Sequence, residues 1–523
     1  MSPAATAERV PASPERKGVT LAGMGDALQS VPSQAHACEA VLCRAVLTSS
    51  SEPVLAAAQR RWAARPVSER LHPLRQFRHW IAAHPETFAR AISPDLNRSQ
   101  ADTLASEVLP LLDAIRFLER NARKLLAPRS LGGKHRPLWL AGVQAQVHRD
   151  PLGHVLVIGP ANFPLFLPGA QTLQALAAGN AVTWKPGNGG QAVAMLFAHV
   201  LREAGLPRGI LQVTGESVEA AQTALAGTPD KVVFTGSFET GRQILSTLAE
   251  TATPATMELS GADAVVVLPS ADLMLTAKAV AFGLRLNGAE VCMSPRRLIA
   301  TRETLESLRP LLTAELAKVP AASLQSRTAG TLTRLLDEAR AAGAQVHTSI
   351  AEAQAGTTGP IVVDGARPEM AITRSDLFAP VISLIEAPSV LHLAEMVNDN
   401  PFGLAVSIFG NAREAQTLAG QLRVGTVSIN DIIAPTADPR IPFGGRGRSG
   451  YGITRGAEGL LEMTAAKVVL LRKKGLSQHY DPLRDHDMPM LAGFIGILHG
   501  ASLGDRWRSV RQVIAAARNR KAR

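Results

Sequence analysis

The sequence predicts an α/β protein built from two successive parallel-sheet domains, joined by a smaller β element. Three observations carry that prediction. After Gly159, short β-type runs ("NAVTWKP", "ILQVTG", "KVVFTG") alternate with helical ones ("LQALAAG", "AVAMLFAHVLREAG"), the order of a parallel sheet with crossover helices. The alternation restarts from Met257, with "AVVVL", "RRLIAT", "PIVVD" and "PVISLIE" as the next strands. The chain of 523 residues, 46% of them hydrophobic, is long enough for two or three domain cores.

Residues 1–45, rich in Ala, Ser, Pro and Gly, read as a disordered leader. Residues 46–256 form the first domain. Its opening stretches "LHPLRQFRHWIAA" and "VLPLLDAIRFLERNARKLL" place apolar residues at helical spacing. Residues 136–155 then read as a hairpin: "VQAQVH" alternates, Pro-Leu-Gly turns, and "HVLVIG" is a buried-type run. Residues 257–430 form the second domain, residues 431–470 a return segment, and residues 471–523 a basic tail.

Three cysteines, Cys38, Cys43 and Cys292, cannot form a disulfide framework and show no zinc-ligand spacing, so no metal is expected. They fit a reducing compartment. The N-terminus lacks an apolar signal core and no run approaches the ~20 apolar residues of a membrane span; a cytoplasmic location is expected. The net charge is +11. From Arg472 to Arg523 eleven basic residues face four acidic ones, so the tail alone supplies 11 − 4 = +7. "DRWRSVRQVIAAARNRKAR" can form a basic amphipathic helix with Trp507, Val510 and Ile514 on one face, a shape suited to weak contact with a membrane surface and equally to packing on a protein. No nucleic-acid partner is expected.

Four stretches carry chemistry. "VIGPANFPLFLPG" sets Asn162 on a Pro-stiffened loop after a strand, at the carboxyl edge where open α/β sheets bind ligands. Its amide is a candidate donor to an oxyanion. "AVTWKPG" ends a strand on Lys185, which suits a sugar hydroxyl or phosphate. "VVFTGSFETG" gives strand, turn and helix start around Gly236, Ser237 and Gly241, a place where backbone N–H groups and helix dipole favour a pyrophosphate. The string Gly445-Arg-Gly-Arg-Ser-Gly450 matches G-x-G-x-x-G, but no strand leads into it, so it is set aside as a dinucleotide loop. "TMELSGADAVVVL" places Glu258 among small residues before a strand, where a confined carboxylate suits a general base. "RLNGAEVCMSPRR" carries Cys292, with Glu290 before it and Arg296 and Arg297 after. A lone cysteine is more often an apolar core filler than a nucleophile.

Taken together, "IGPANFPL", "AAGNAVTWKP", "FTGSFETGR", "ELSGADAVVV", "NGAEVC", "DLFAPV", "NDNPFGLAVSIF", "VGTVSIN" and "IPFGGRGRSGYG" resemble the aldehyde dehydrogenase superfamily in order and spacing, over roughly Glu52 to Lys467. That resemblance reverses the reading of Cys292. It implies two Rossmann-like domains, cofactor-binding and catalytic, with a small β oligomerisation element, and NAD or NADP as cofactor. It implies that Cys292 attacks an aldehyde carbon as thiolate, that Asn162 and the Cys292 N–H hold the oxyanion, and that Glu258 activates the water that hydrolyses the thioester. Lys185 would hold the adenosine ribose, Gly236, Ser237, Gly241 and Leu259 would border the pyrophosphate side, and Asp376 and Phe378 would face the nicotinamide ribose and ring. The hairpin and return segment resemble elements that make family members dimers or tetramers.

Departures from the family pattern are informative. Asp376 stands where a glutamate is usual, Glu290 where a glutamine is usual, Ser260 and Ala262 replace a Gly and a Lys, and Ala379 a glycine. Glu290 would raise the thiol pKa unless Arg285, Arg296 or Arg297 compensates. Gly187 and Asn188 follow Lys185-Pro186 without the carboxylate that selects NAD, so a 2′-phosphate is not repelled and either cofactor is expected to serve. Two alternatives remain at this stage: an enzyme that passes the acyl group to coenzyme A, for which a hydrolytic Glu258 has little use, and a weakened, non-enzymatic scaffold.

Overall fold

The computed structural model describes residues 52–521 apart from 93, 97, 349–355, 473–479 and 481. The leader, with Cys38 and Cys43, lies outside the described residues. The chain divides into two compact units, and the larger holds both α/β domains.

In chain order the strands are β1 (Arg129–Ser130), β2 (Val143–Pro151), β3 (His154–Ile158), β4 (Ala181–Lys185), β5 (Leu211–Val213), β6 (Lys231–Gly236), β7 (Ala255–Leu259), β8 (Ala264–Val267), β9 (Arg297–Thr301), β10 (Gln345–Thr348), β11 (Ile361–Ala366), β12 (Val381–Ala387), β13 (Ala405–Phe409), β14 (Thr426–Ile429), β15 (Gly450–Tyr451) and β16 (Thr464–Arg472). The first sheet has the order β15-β7-β6-β3-β4-β5 and the second β10-β11-β12-β9-β8-β13-β14. Pairing is parallel except at β15 and β10, each antiparallel to its neighbour. The β-branched runs of β3, β6 and β8 are buried on both faces, as parallel strands covered by helices require.

The first sheet grows outward from β3 in both directions, to β4 and β5 on one side and to β6 and β7 on the other. The strand order reverses between β3 and β6, which opens a crevice at their carboxyl ends. Helix α1 (Phe166–Ala178) follows β3, α2 (Phe238–Ala249) follows β6, and α3 (Leu273–Arg285) follows β8. Met257–Leu259, read from the sequence as opening the second domain, complete β7 of the first sheet; the chain changes sheets across Ser260–Asp263.

The expected 136–155 hairpin is not formed. β2 lies between β1 and β16, while β3 enters the first sheet. The Pro-Leu-Gly turn redirects the chain instead of reversing it. Gly153 adopts φ +130°, a Cβ there would collide with the Asp230 carboxylate, and Asp230 in turn accepts from the His154 N–H at 2.7 Å.

The smaller unit comprises Ala127–Arg149 and Ala466–Arg523. β16 is exposed along most of its length, with Val468, Val469, Leu470 and Leu471 facing outward. Its helices α4 (Met488–His499) and α5 (Leu503–Lys521) form a hairpin. Gly493 lets the two approach closely, since a Cβ there would lie 2.5 Å from Val513. Among the described residues no helix is long and apolar enough to cross a membrane.

Candidate active site

A cavity of about 580 Å³ is lined by Asn162, Gly236, Glu258, Leu259, Cys292 and Phe378, among others. Three loops and two strand ends bring these residues together.

Asn162 lies on the loop after β3. Its Nδ2 donates to the Glu290 carbonyl at 2.8 Å, so one amide hydrogen anchors the cysteine loop and the second remains for a ligand. The Asn162 carbonyl accepts from Asn287 at 3.1 Å and Arg98 at 3.4 Å. Beneath it, Glu107 is fully buried on a π-helical turn, Leu104–Val108. Its carboxylate accepts from Leu165 N at 3.1 Å and Phe166 N at 2.6 Å, and from Arg98. It therefore satisfies the first N–H groups of α1 and fixes the loop carrying Asn162.

Cys292 sits on the segment from α3 to β9. Three consecutive residues, Asn287, Gly288 and Ala289, have positive φ, a conformation costly for alanine. The surroundings hold it: Ser294 Oγ donates to Ala289 O at 3.1 Å and Arg296 to the same carbonyl at 2.6 Å. The Cys292 N–H makes no backbone bond among the described residues and is available as a donor. Burial pushes the thiol well above its ordinary value; Glu258, Asp263 and Asp376 add to the rise and Arg455 opposes it.

Glu258, near the end of β7, is buried. Gln171 Nε2 and Thr235 Oγ1 donate to its Oε2 at 3.1 and 3.0 Å, and Thr454 Oγ1 to its Oε1 at 2.6 Å. None of these partners was singled out from the sequence. Gly450 pairs with Glu258 across β15 and β7, so the glycine-rich string set aside as a dinucleotide loop serves to lay the returning chain against the base.

Of the arginines expected to compensate, Arg296 opposes the rise at Glu290 and interacts with Cys292 itself; Arg455 was not among those expected. Arg285 is exposed and reaches Asp102 only at 3.9 Å. Arg297 donates to the Ala262 and Met396 carbonyls, and Arg296 to Ala289 and Ala379. Arg455, like Arg285, lines the cavity, but it alone of the two is buried. The signal in "ITRG" was a lone arginine before glycine, indistinguishable from a solvent-facing one.

Toward the cofactor end, Lys185 closes β4 with 9% exposure. Burial lowers its pKa and Glu216 opposes the fall. An ammonium so placed at the crevice, with no hydrogen bond or ion pair among the described residues, fits a ribose hydroxyl. Gly236 ends β6 in the cavity wall. Ser237 caps α2, accepting from Thr240 N at 3.3 Å. Gly241 makes room for packing: a Cβ there would lie 2.9 Å from Leu259. Phe378 lines the cavity, whereas Asp376 is bonded to Ser260 Oγ; burial raises its pKa and Arg296 opposes. The shorter carboxylate is thus held by the serine that replaces the usual glycine. These residues fit a dinucleotide.

A model described as the aldehyde dehydrogenase family matches residues 47–469. The 4,4′-diapolycopene aldehyde oxidase of a Methylomonas species is 29% identical over 475 residues, covering 87% of this chain and 88% of that one. A putative NADP(+) succinate-semialdehyde dehydrogenase of Mycolicibacterium smegmatis is 30% identical over 432 residues, 79% and 82% of the two chains. The structure of NADP-dependent glyceraldehyde-3-phosphate dehydrogenase from Bacillus halodurans complexed with NADP superposes with a TM-score of 0.74 at 27% identity, covering 80% of this chain and 89% of that one.

Proposed function

The chain belongs to the aldehyde dehydrogenase family as an NAD(P)-dependent oxidoreductase, and on that premise we propose that it oxidises its aldehyde to a carboxylic acid through a thioester on Cys292. The observation that carries this reading is the convergence of Cys292, Asn162 and Glu258 on one cavity. The Cys292 sulfur loses its proton to solvent and bonds to the aldehyde carbon. The second Asn162 amide hydrogen and the Cys292 N–H stabilise the oxyanion. A nicotinamide cofactor, which Lys185, Gly236 and Phe378 would help to hold, would supply the acceptor for the hydride that leaves this carbon as the thioester forms. Glu258, held by three donors, takes a proton from water as that water attacks, and the acid departs with Cys292 free again.

Much of the cavity wall is apolar, with Phe166, Leu167, Phe282, Leu286, Ile433 and Phe443 among its residues. An aldehyde with an apolar body suits it. Lys185, without a carboxylate two or three residues after it, suits either NAD or NADP. The decisive experiment measures the first turnover and the steady state separately at the nicotinamide absorbance, over aliphatic, aromatic and semialdehyde substrates, with and without coenzyme A. Glu258→Gln keeps the burst and lowers steady turnover by about 10²–10⁴-fold, coenzyme A leaves the wild-type rate unchanged, and apolar aldehydes lead the panel. An unaltered steady state in that variant removes Glu258 from the role.

The smaller unit supports two further readings. Exposed apolar residues on β16 suit a subunit contact, giving a homodimer or homotetramer. α4 carries no charge from Met488 to Leu498 and exposes Met488, Leu491, Phe494 and Ile495. α5 carries Arg506, Arg508, Arg511 and Arg518 against one acid, Asp505. An apolar helix beside a basic one suits weak binding to an anionic membrane surface from the cytoplasmic side. Salt-sensitive sedimentation with anionic vesicles, lost on truncation after Lys474, checks it; no binding by the full chain ends the idea.

A further inference from the structure

Arg455 is an unexpected residue to find where it is. Its backbone has φ 61° and ψ 174°, a region used almost solely by glycine, and such strain persists where the surroundings over-determine it, commonly at functional sites. Its guanidinium is buried in the cavity wall, 4.3 Å above the Phe443 ring and 5.7 Å from Phe166. One nitrogen donates to the Thr436 carbonyl, while Nε is buried without a partner. The preceding residue, Thr454, binds Glu258. The strained turn therefore delivers a hydroxyl to the base and a cation to the nucleophile from adjacent residues.

The charges around Cys292 come from every side. Glu258 faces it from β7, Asp263 from the turn into β8 and Asp376 from the loop into β12, while Glu290 sits two residues before it on the same loop and lines the same cavity. Burial raises the pKa of Asp263, Asp376 and Glu290. Arg296 stands at the foot of the loop, its terminal nitrogens donating to carbonyls and its charge divided among Asp376, Asp263, Cys292 and Glu290. The charge of Arg455 is divided between Glu258 and Cys292 alone, which favour it against the cost of burial, and no carboxylate among the described residues is bonded to it.

We propose that Arg455 is the positioning residue that allows a thiolate at Cys292 and a carboxylate at Glu258 to occupy the same buried cavity. The Sγ–H bond breaks, the proton passes to solvent, and the electron pair stays on sulfur until it bonds to the aldehyde carbon. Arg455 supplies the positive charge against which the new anion forms, aligned by the two rings and the Thr436 carbonyl. The inference rests on the reading of Cys292 as nucleophile.

The test needs no turnover. Alkylation of the full chain by iodoacetamide is followed by mass spectrometry of the Cys292 peptide, from neutral to alkaline pH. Arg455→Met moves the midpoint of the rate profile up by about one pH unit, roughly tenfold in rate on the rising limb, and Arg455→Lys moves it by less. Glu258→Gln moves it down, and the double variant returns near wild type. A folded Arg455→Met with an unmoved midpoint overturns the proposal. Should that variant fail to fold, the double variant, which buries no uncompensated carboxylate at Glu258, is compared with Glu258→Gln, and equal midpoints overturn it. Oxidation surviving in Cys292→Ser would instead dismiss the underlying reading, whatever the midpoints show.

Discussion

The two sheets meet the cavity by opposite edges. The first presents the carboxyl ends of β3, β6 and β7, which carry Asn162, Gly236 and Glu258. The second presents the amino ends of β8, β9 and β12, preceded by Asp263, by Cys292 with Arg296, and by Asp376 with Phe378. On the first edge the polar groups are met mostly by neutral donors, as Glu258 is by Gln171, Thr235 and Thr454. On the second the groups are charged, buried and mutually perturbing. The difference lies in how each edge meets its polar groups: the first satisfies Glu258 with neutral donors, and the second gathers charged groups around the Cys292 loop, where Glu258 of the first edge and Arg455 add their own charges.

If that division holds, substitutions on the two edges fail differently. The largest effect belongs to Cys292→Ser, which lowers oxidation by more than about 10³-fold while NAD(P) binding, followed by nucleotide fluorescence, persists. Asn162→Ala comes next, with a loss of about 10²–10³-fold in kcat from one oxyanion donor. Its alkylation profile at Cys292 stays near wild type if the first edge acts through geometry alone; a large shift would break the comparison.

Asp263 sharpens it through pH. Burial pushes its carboxyl up to about 8 from the ordinary 3.8, and Oδ2 has no partner. The folded chain therefore holds this proton more tightly than the unfolded one. Its contribution is full below about pH 4 and is lost as the pH rises through about 8. Asp263→Asn keeps the acceptor for Ala405 N and flattens the fall in Tm over that window, by roughly 3 °C; an unchanged slope counts against the assignment.

The smallest effect on chemistry is expected away from both edges. Leu470 and Leu471 are 67% and 52% exposed. Leu470→Asp with Leu471→Asp lowers the particle mass in light scattering and leaves the first-turnover burst intact; a wild-type particle that is already monomeric removes the contact.

Much of the first edge was legible in the sequence, because its residues sit at strand ends whose β-type runs and glycine turns are local signals. Lys185 closing β4 and Gly236 closing β6 follow from a few neighbouring residues each. The hairpin was misread for the same reason: alternation marks β2 and β3 as strands and says nothing of which sheet each joins. Gly241, read for a ligand, has a packing explanation that needed Leu259 beside it.

The sequence by itself determined the α/β class and the family, and it singled out the residues proposed as nucleophile, oxyanion donor and base, because these are written as short motifs in fixed order. Tertiary structure alone decided what surrounds them. Thr454 reaches Glu258 across 196 residues and Asn162 reaches the cysteine loop across 128. Electrostatics and desolvation depend on distance in space, so the charge state of Cys292 and the place of Arg455 beside it exist only once the chain has closed.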